Sequence, residues 1–287
     1  MRIEEWKLLA MESSKFKAAS YAESTKSTYK SQRNAYLRFC LHFGCTPVPA
    51  SNTTLVAYCT FLARTLSPHS IPNYLNIIRI LHEEKGLDNP LKSWDLRMVN
   101  RGISRCLGRP PKQKLPITPA LLLDIFSKLD DSSPQHCTFW AACLVAFFAF
   151  LRKSTLLPKS ASPKDTDRAL CIKDVNVSKS HLTLRIRHTK TIQFGQRELD
   201  IPLVEVPGSP LCPVRAVIKM LSNLASCKTV LCKDTPLFCY VSNGKLEHLN
   251  HATFTSLLKK FLICCNVNPG EYSGHSFRHI GWGCMNV

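Results

Sequence analysis

Residues 109–116, RPPKQKLP, divide the 287-residue sequence into two parts. Three prolines and three cations in this stretch do not sustain a helix, because proline lacks the backbone N–H that a helix interior requires. We therefore predict an extended, semi-stiff linker between two domains. The predicted organisation is an N-terminal extension over residues 1–19, a helical domain over 20–108, this linker, and a second domain over 117–287.

The part before the linker has helical periodicity throughout. One helix is predicted from Ser24 to a stop at Gly44, and its apolar face is formed by Tyr29, Tyr36, Phe39, Cys40 and Phe43. Three more are predicted: after a Ser51–Asn52 cap, over residues 70–85, and over residues 93–107. The second of the four should direct Leu55, Val56, Cys59, Phe61 and Leu62 inward. Four short helices with brief connections indicate an all-α bundle.

The part after the linker mixes helices with strands. A helix should begin at a Thr118 cap, and the apolar run over residues 137–151 should form a buried core helix that ends at Arg152. This run is shorter than the ~20 residues that span a bilayer. Alternation over residues 169–204 predicts a hairpin with Lys190 near its tip and Gly195 in the turn, followed by helices over 213–224 and 251–264. The predicted fold class is mainly α with a small β-sheet.

The composition points to a polyanionic partner. Lysine and arginine outnumber the acidic residues 38 to 20, for a net charge of +18, and the excess extends over both parts of the chain. The fourteen cysteines are scattered through apolar stretches without zinc-ligand spacing, which indicates reduced intracellular thiols and no metal site. There is no signal-peptide pattern, HExxH or glycine-rich phosphate loop, so we expect no membrane association and no small-molecule cofactor.

Three separated motifs need a common explanation. They are FFAFLRKSTLLP around Arg152, RHTKTIQFG around Lys190, and GHSFRH, which holds His275 and Arg278. In this order, behind a helical domain and a basic linker, they resemble the tyrosine recombinases of the phage-integrase family, in particular those of eukaryotic DIRS-like and Crypton-like mobile elements. The resemblance implies a SAM-like core-binding domain, a mixed α+β catalytic domain, action on nuclear DNA in integration and recombination, and further copies of the chain on the same DNA.

The resemblance also assigns roles to the motif residues. Arg152 and Arg278 would clamp the phosphate, since guanidinium forks match the charge that develops on phosphate oxygens. Lys190 would protonate the leaving oxygen, and His275 would help to move the nucleophile's proton, with no metal involved. Taken singly, a lysine such as Lys190 is more often a solvated hairpin cation, and a histidine at a helix start such as His275 is more often a cap or packing residue. The proposed DNA contacts are Lys26, Lys30, Arg33, Arg109, Lys112 and Lys114, for which a solvated surface is the alternative.

The sequence departs from the family pattern at two places. The family places a nucleophilic tyrosine some tens of residues after HxxR, whereas residues 279–287 contain none and all seven tyrosines precede His275. Thr155 stands where many members have glutamate. We therefore expect a C-terminally truncated or decayed recombinase that is inactive as given. The alternatives are a non-catalytic, domesticated DNA-binding regulator, and an unrelated basic helical protein in which the motifs occur by chance.

Overall fold

The computed structural model describes residues 2–110, 112–160, 162–166, 169–178, 180–189, 192, 197–227 and 231–278. The chain forms two compact units, a first unit over Met1–Pro111 and a second unit over Lys112–Val287. The division falls inside the predicted linker. Its second half belongs to the second unit, because Leu115 N–H donates to Glu271 O at 2.8 Å and Lys114 Nζ donates to Gly270 O at 2.5 Å.

The first unit is helical throughout its described residues, apart from turns. Its helices are α1 (Arg2–Ala19), α2 (Glu23–Phe43), α3 (Asn52–Ala63), α4 (Ile71–Glu83) and α5 (Trp94–Leu107), with a 3₁₀ turn at Pro90–Lys92. The last four confirm the predicted bundle. Ser51 caps α3 by accepting from Thr54 N–H at 3.1 Å, and Gly44 ends α2 in the left-handed region at φ 65°. Helix α1 was not predicted; its large apolar side chains are exposed.

The core of the first unit lies between α2, α3 and α4. Tyr36 and Tyr58 meet edge to face at 5.1 Å, and Phe39 packs on Tyr58 at 4.9 Å. The inward placement of Phe61 was wrong, since this residue is 41% exposed, and Phe43, on the predicted apolar face of α2, is 53% exposed. Phe43 lies late in α2 and Phe61 late in α3; the two rings pack on each other and on Phe39, and Phe43 also packs on His42, which leaves much of both side chains exposed.

The second unit surrounds one buried helix. Its helices are α6 (Pro119–Phe126), α7 (Pro134–Phe148), α8 (Lys153–Leu156), α9 (Pro163–Thr166), α10 (Pro213–Ser226) and α11 (His251–Cys264), with 3₁₀ turns at Ile172–Asp174, Pro269–Glu271 and Ser276–Arg278. Every residue of α7 from Cys137 to Ala146 is buried, which confirms the predicted core helix. Helix α10, a strand of the second sheet and the last 3₁₀ turn pack around α7.

Two small antiparallel sheets complete the second unit. The first contains β1 (Val175–Val177), β2 (His181–Ile186) and β3 (Leu199–Val204), with β2 in the centre. The pairing of Ile186 with Leu199 confirms the predicted hairpin. The second sheet, β4 (Cys239–Ser242) and β5 (Lys245–His248), was not predicted. Its turn is Asn243–Gly244, with both φ angles positive, a strong hairpin signal in the sequence that we did not use.

Candidate phosphate-binding site

Arg152 follows directly on the end of the buried helix. Phe150 adopts the left-handed conformation at φ 51°, and Leu151 N–H donates back to Ala146 O at 3.2 Å, which closes α7. The chain then becomes extended at Arg152, whose carbonyl accepts from Thr155 N–H at 2.8 Å and so begins α8. The Arg152 side chain is half-buried. The core helix thus fixes the backbone from which this guanidinium extends.

His275 and Arg278 lie on a tight turn held by serine hydrogen bonds. Ser273 N–H donates to Ser276 Oγ at 2.9 Å, and Arg278 N–H donates to His275 O at 2.9 Å. Phe277, 1% exposed, anchors the turn in the core and packs on Phe254 at 5.9 Å. His275 and Arg278 are exposed on either side of this anchor. The motif therefore combines two buried residues, Ser276 and Phe277, with the exposed side chains of His275 and Arg278.

The segments that carry Arg152 and His275 are in contact. A Cβ built on Gly274 would lie 3.2 Å from Lys153 Cβ and 3.3 Å from its Cδ. Lys153 in turn donates from Nζ to Thr255 Oγ1 at 3.0 Å. Two motifs separated by more than a hundred residues in the sequence therefore lie side by side. Neither Lys153 nor Gly274 was predicted, because only their proximity in the fold marks them.

Lys190 lies outside the described residues, so its role stays a prediction, but the base of its hairpin is described. Arg187 Nη2 donates to Asp174 Oδ2 at 2.8 Å, and the Asp174 side chain is 4% exposed. This hydrogen bond raises the pKa of Arg187. A small cavity of about 10 Å³ beside the pair is lined in part by His188 and by the buried Thr155, three residues after Arg152. The base of the hairpin therefore borders the Arg152 segment.

The six residues proposed to contact DNA differ in whether their charged groups already have a partner in the protein. In the first unit, Lys26 pairs with Glu23 at 2.7 Å and Arg33 with Glu84 at 2.5 Å, both at the surface. Lys30 is exposed and forms no ion pair with any described residue, and Arg109 is also exposed. In the second unit, Lys112 is exposed and the Lys114 ammonium donates to Gly270 O.

The chemistry available at the site is anion binding. Guanidinium and imidazole groups donate hydrogen bonds to phosphate oxygens, and the neighbouring Lys153 adds a further positive charge. Among the described residues, no group of three or more His, Cys, Asp or Glu could hold a metal ion. Within the same part of the chain, no helix is long and apolar enough to cross a membrane.

Comparison with known sequences finds similarity to a recombinase. No protein-family model matches the sequence. A protein of Selenomonas ruminantium described as an integrase/recombinase xerD homolog is 24% identical over 286 residues, which cover 96% of this chain and 78% of that protein. Sequence similarity to a recombinase thus extends along nearly the whole chain.

Solved structures show the same fold at low identity. A lambda integrase dimer bound to a COC' core site has a TM-score of 0.55 at 15% identity, covering 94% of this chain and 82% of that one. The Tn1549 transposon integrase in complex with circular intermediate DNA has a TM-score of 0.54 at 16% identity, covering 91% and 80%. The XerH site-specific recombinase bound to its palindromic difH substrate has a TM-score of 0.51 at 16% identity. The chain covers 59% of XerH, and 79% of the chain is matched. The mainly helical fold with small sheets is therefore that of the integrases and recombinases, as predicted.

Proposed function

We propose that this chain is a DNA-binding protein of the tyrosine-recombinase type that acts in DNA integration and recombination. The observation that carries the proposal is the contact of the Arg152 and His275 segments, within a fold that is also seen in integrases bound to DNA. Arg152 and Arg278 would hold a backbone phosphate with His275 beside it, and the basic residues of both units would contact neighbouring phosphates. The lambda integrase neighbour is a dimer on its site, and we propose that copies of this chain also assemble on DNA.

Salt dependence of binding tests the proposal directly. If the chain neutralises about ten phosphates, its affinity for duplex DNA should fall roughly 10³-fold to 10⁵-fold between 50 and 200 mM salt. Fluorescence anisotropy with a labelled duplex measures this slope. Arg278→Ala should weaken binding by about tenfold at low salt, because it removes one charge-assisted contact, while the thermal unfolding midpoint stays unchanged. Binding that responds neither to salt nor to Arg278→Ala would overturn the proposal.

Strand cleavage is proposed to be absent from these 287 residues. In the second unit, Tyr240 is buried and its hydroxyl accepts from Gln135 Nε2 at 2.7 Å, while Tyr272 is partly buried against the core and lies ahead of His275. Neither matches the position of the family's nucleophile. A nicked suicide substrate should therefore leave no covalent adduct on a denaturing gel. An adduct lost in Tyr272→Phe would show that this residue attacks the phosphate, contrary to the proposal.

A non-catalytic, domesticated regulator is the second candidate function. It is favoured by the two tyrosines of the second unit, Tyr240 and Tyr272, neither of which matches the family's nucleophile. The two candidates differ in DNA specificity: a regulator should prefer particular genomic sites, whereas a decayed recombinase should prefer the inverted ends of its own element. Selection of bound sequences from a random duplex pool distinguishes them.

The finer assignment is to eukaryotic mobile elements, with action in the nucleus. It rests on the RKST sequence that begins at Arg152 and on the basic charge of the chain. Imaging of the tagged chain in a eukaryotic cell should place it in the nucleus. Retention in the cytoplasm would contradict this part of the proposal.

A further inference from the structure

The side chain of Lys153 occupies the space into which a side chain at residue 274 would extend. The ideal Cβ of residue 274 would meet three carbons of the lysine stem, at 3.2 Å from Cβ, 3.3 Å from Cδ and 3.5 Å from Cε. Glycine therefore allows the backbone just before His275 to lie flat on the lysine. Any larger residue would have to displace either the stem of Lys153 or the turn that carries His275 and Arg278.

The charged end of Lys153 is held as well. Nζ donates to Thr255 Oγ1 at 3.0 Å, and Thr255 Oγ1 donates to His251 O at 2.7 Å, so the ammonium is tethered to the start of α11. Lys153 is half-buried and forms no ion pair among the described residues. Burial lowers the pKa of Lys153, and its charge contributes to the lowered pKa of His251.

A partly desolvated cation without a counter-ion costs free energy that packing alone does not require. Methionine is uncharged and has a side chain as long as the lysine stem without its ammonium group, so it would also cover Gly274. Packing alone therefore does not explain the charge of Lys153. The adjoining residues Arg152 and His275 indicate that this charge serves to bind an anion. On this surface, the anion that matches two guanidinium groups is a DNA phosphate.

We propose that Lys153 is a positioning residue that fixes the Arg152 segment against the His275–Arg278 turn and leaves its own positive charge uncompensated next to the bound phosphate. This rests on the proposed function. Lys153 acts through Gly274, whose backbone it supports, and Thr255 holds the ammonium in place.

A double-mutant cycle separates positioning from an independent phosphate contact. Lys153→Met keeps the stem and removes the charge, so the unfolding midpoint should stay unchanged while affinity for a labelled duplex falls about fivefold to tenfold. In the Arg278→Ala background the same substitution should cost less than about twofold. It also removes the hydrogen bond from Nζ to Thr255 that holds the stem on Gly274, and the phosphate contact of Arg278 that depends on this placement is already absent. Lys159→Met, at an exposed lysine six residues away, is the matched control and should be additive with Arg278→Ala.

A second cycle tests the packing. Gly274→Ala should weaken DNA binding by about fivefold, because the added methyl group displaces the stem or the turn. Lys153→Gly with Gly274→Ala should bind no more weakly than Lys153→Gly alone, since all three carbons that the added methyl group would meet, Cβ, Cδ and Cε of residue 153, are then absent. If Gly274→Ala does not fold, the cycle with Lys153→Met and Arg278→Ala still tests the positioning role of Lys153.

The outcomes distinguish the two proposals. If the unmodified chain binds DNA without salt dependence and Arg278→Ala is silent, the proposed function fails. If those two results are as expected but Lys153→Met is silent, or is additive with Arg278→Ala, the positioning role alone is overturned. Non-additivity at an unchanged unfolding midpoint supports it.

Discussion

The two units build their cores in different ways. In the second unit, α7 is buried on every side from Cys137 to Ala146, and the segments after its end and around Phe277 are fixed by that core. In the first unit, three helices share a core, whereas α5 buries only Leu96 and the large apolar residues of α1 are exposed. The comparison indicates that the site of the second unit depends on packing, while the basic residues of α2 depend on the helix that displays them and, for Arg33, on the ion pair with Glu84.

The largest effect should come from Phe277→Ala. Its ring is 1% exposed and packs on Phe254, so truncation should cost the second unit about 3–5 kcal/mol in the free energy of unfolding. Chemical denaturation followed by circular dichroism measures the loss. Phe61→Ala in the first unit is the matched control and should cost well under half as much, because that ring is 41% exposed. Equal losses would contradict the contrast between the units.

Asp174→Asn should have the next largest effect. The carboxylate is 4% exposed and accepts from both Arg187 Nη2 and Cys171 N–H, so its neutralisation leaves a half-buried guanidinium without a counter-charge. We expect a loss of about 1–3 kcal/mol in the free energy of unfolding. Asp234→Asn breaks the exposed pair with Lys173 and should change the free energy of unfolding far less, because solvent screens both charges. Similar effects of the two substitutions would show that burial of the pair is unimportant.

Acid should destabilise the second unit through three half-buried histidines. Burial lowers the pKa of His136, His248 and His251, so the folded state binds protons less readily than the unfolded chain. Their contribution is therefore complete above the unfolded pKa of about 6.5 and is lost as the pH falls through that value toward the lowered one. The unfolding midpoint should drop between pH 7 and pH 5, and His251→Gln should reduce the drop. A midpoint independent of pH in this window would contradict the prediction.

Lys30→Ala should have the smallest effect on stability, and it should clearly change the salt dependence of DNA binding. Because Lys30 is exposed and forms no ion pair with a described residue, the unfolding midpoint should not move. The slope of log affinity against log salt should fall by about one unit, equally for different duplex sequences. Lys85→Ala, an exposed lysine of the same unit outside the proposed contacts, should leave the slope unchanged. Equal effects at both positions would contradict the proposal that α2 contacts DNA.

The sequence by itself determined most of the elements, because their signals are local. Ser51 caps a helix through a neighbour three residues away, Gly44 ends one through its own left-handed backbone, and the alternation along β2 depends on adjacent residues. The Asn243–Gly244 turn was equally local and was missed only because the signal was not used. The basic charge and the order of the three motifs are also properties of the sequence alone.

Tertiary structure decided what depends on residues far apart in the chain. Only the fold brings Gly274 onto Lys153, and Leu115 onto Glu271, so that half of the predicted linker belongs to the second unit. The periodicity that correctly placed Phe39 in the core also placed Phe61 there, because a pattern marks the apolar face of a helix but not where its covering neighbours end. Burial at such positions is a property of the assembled helices, since the free energy of covering a side chain is supplied by residues that the local sequence does not contain.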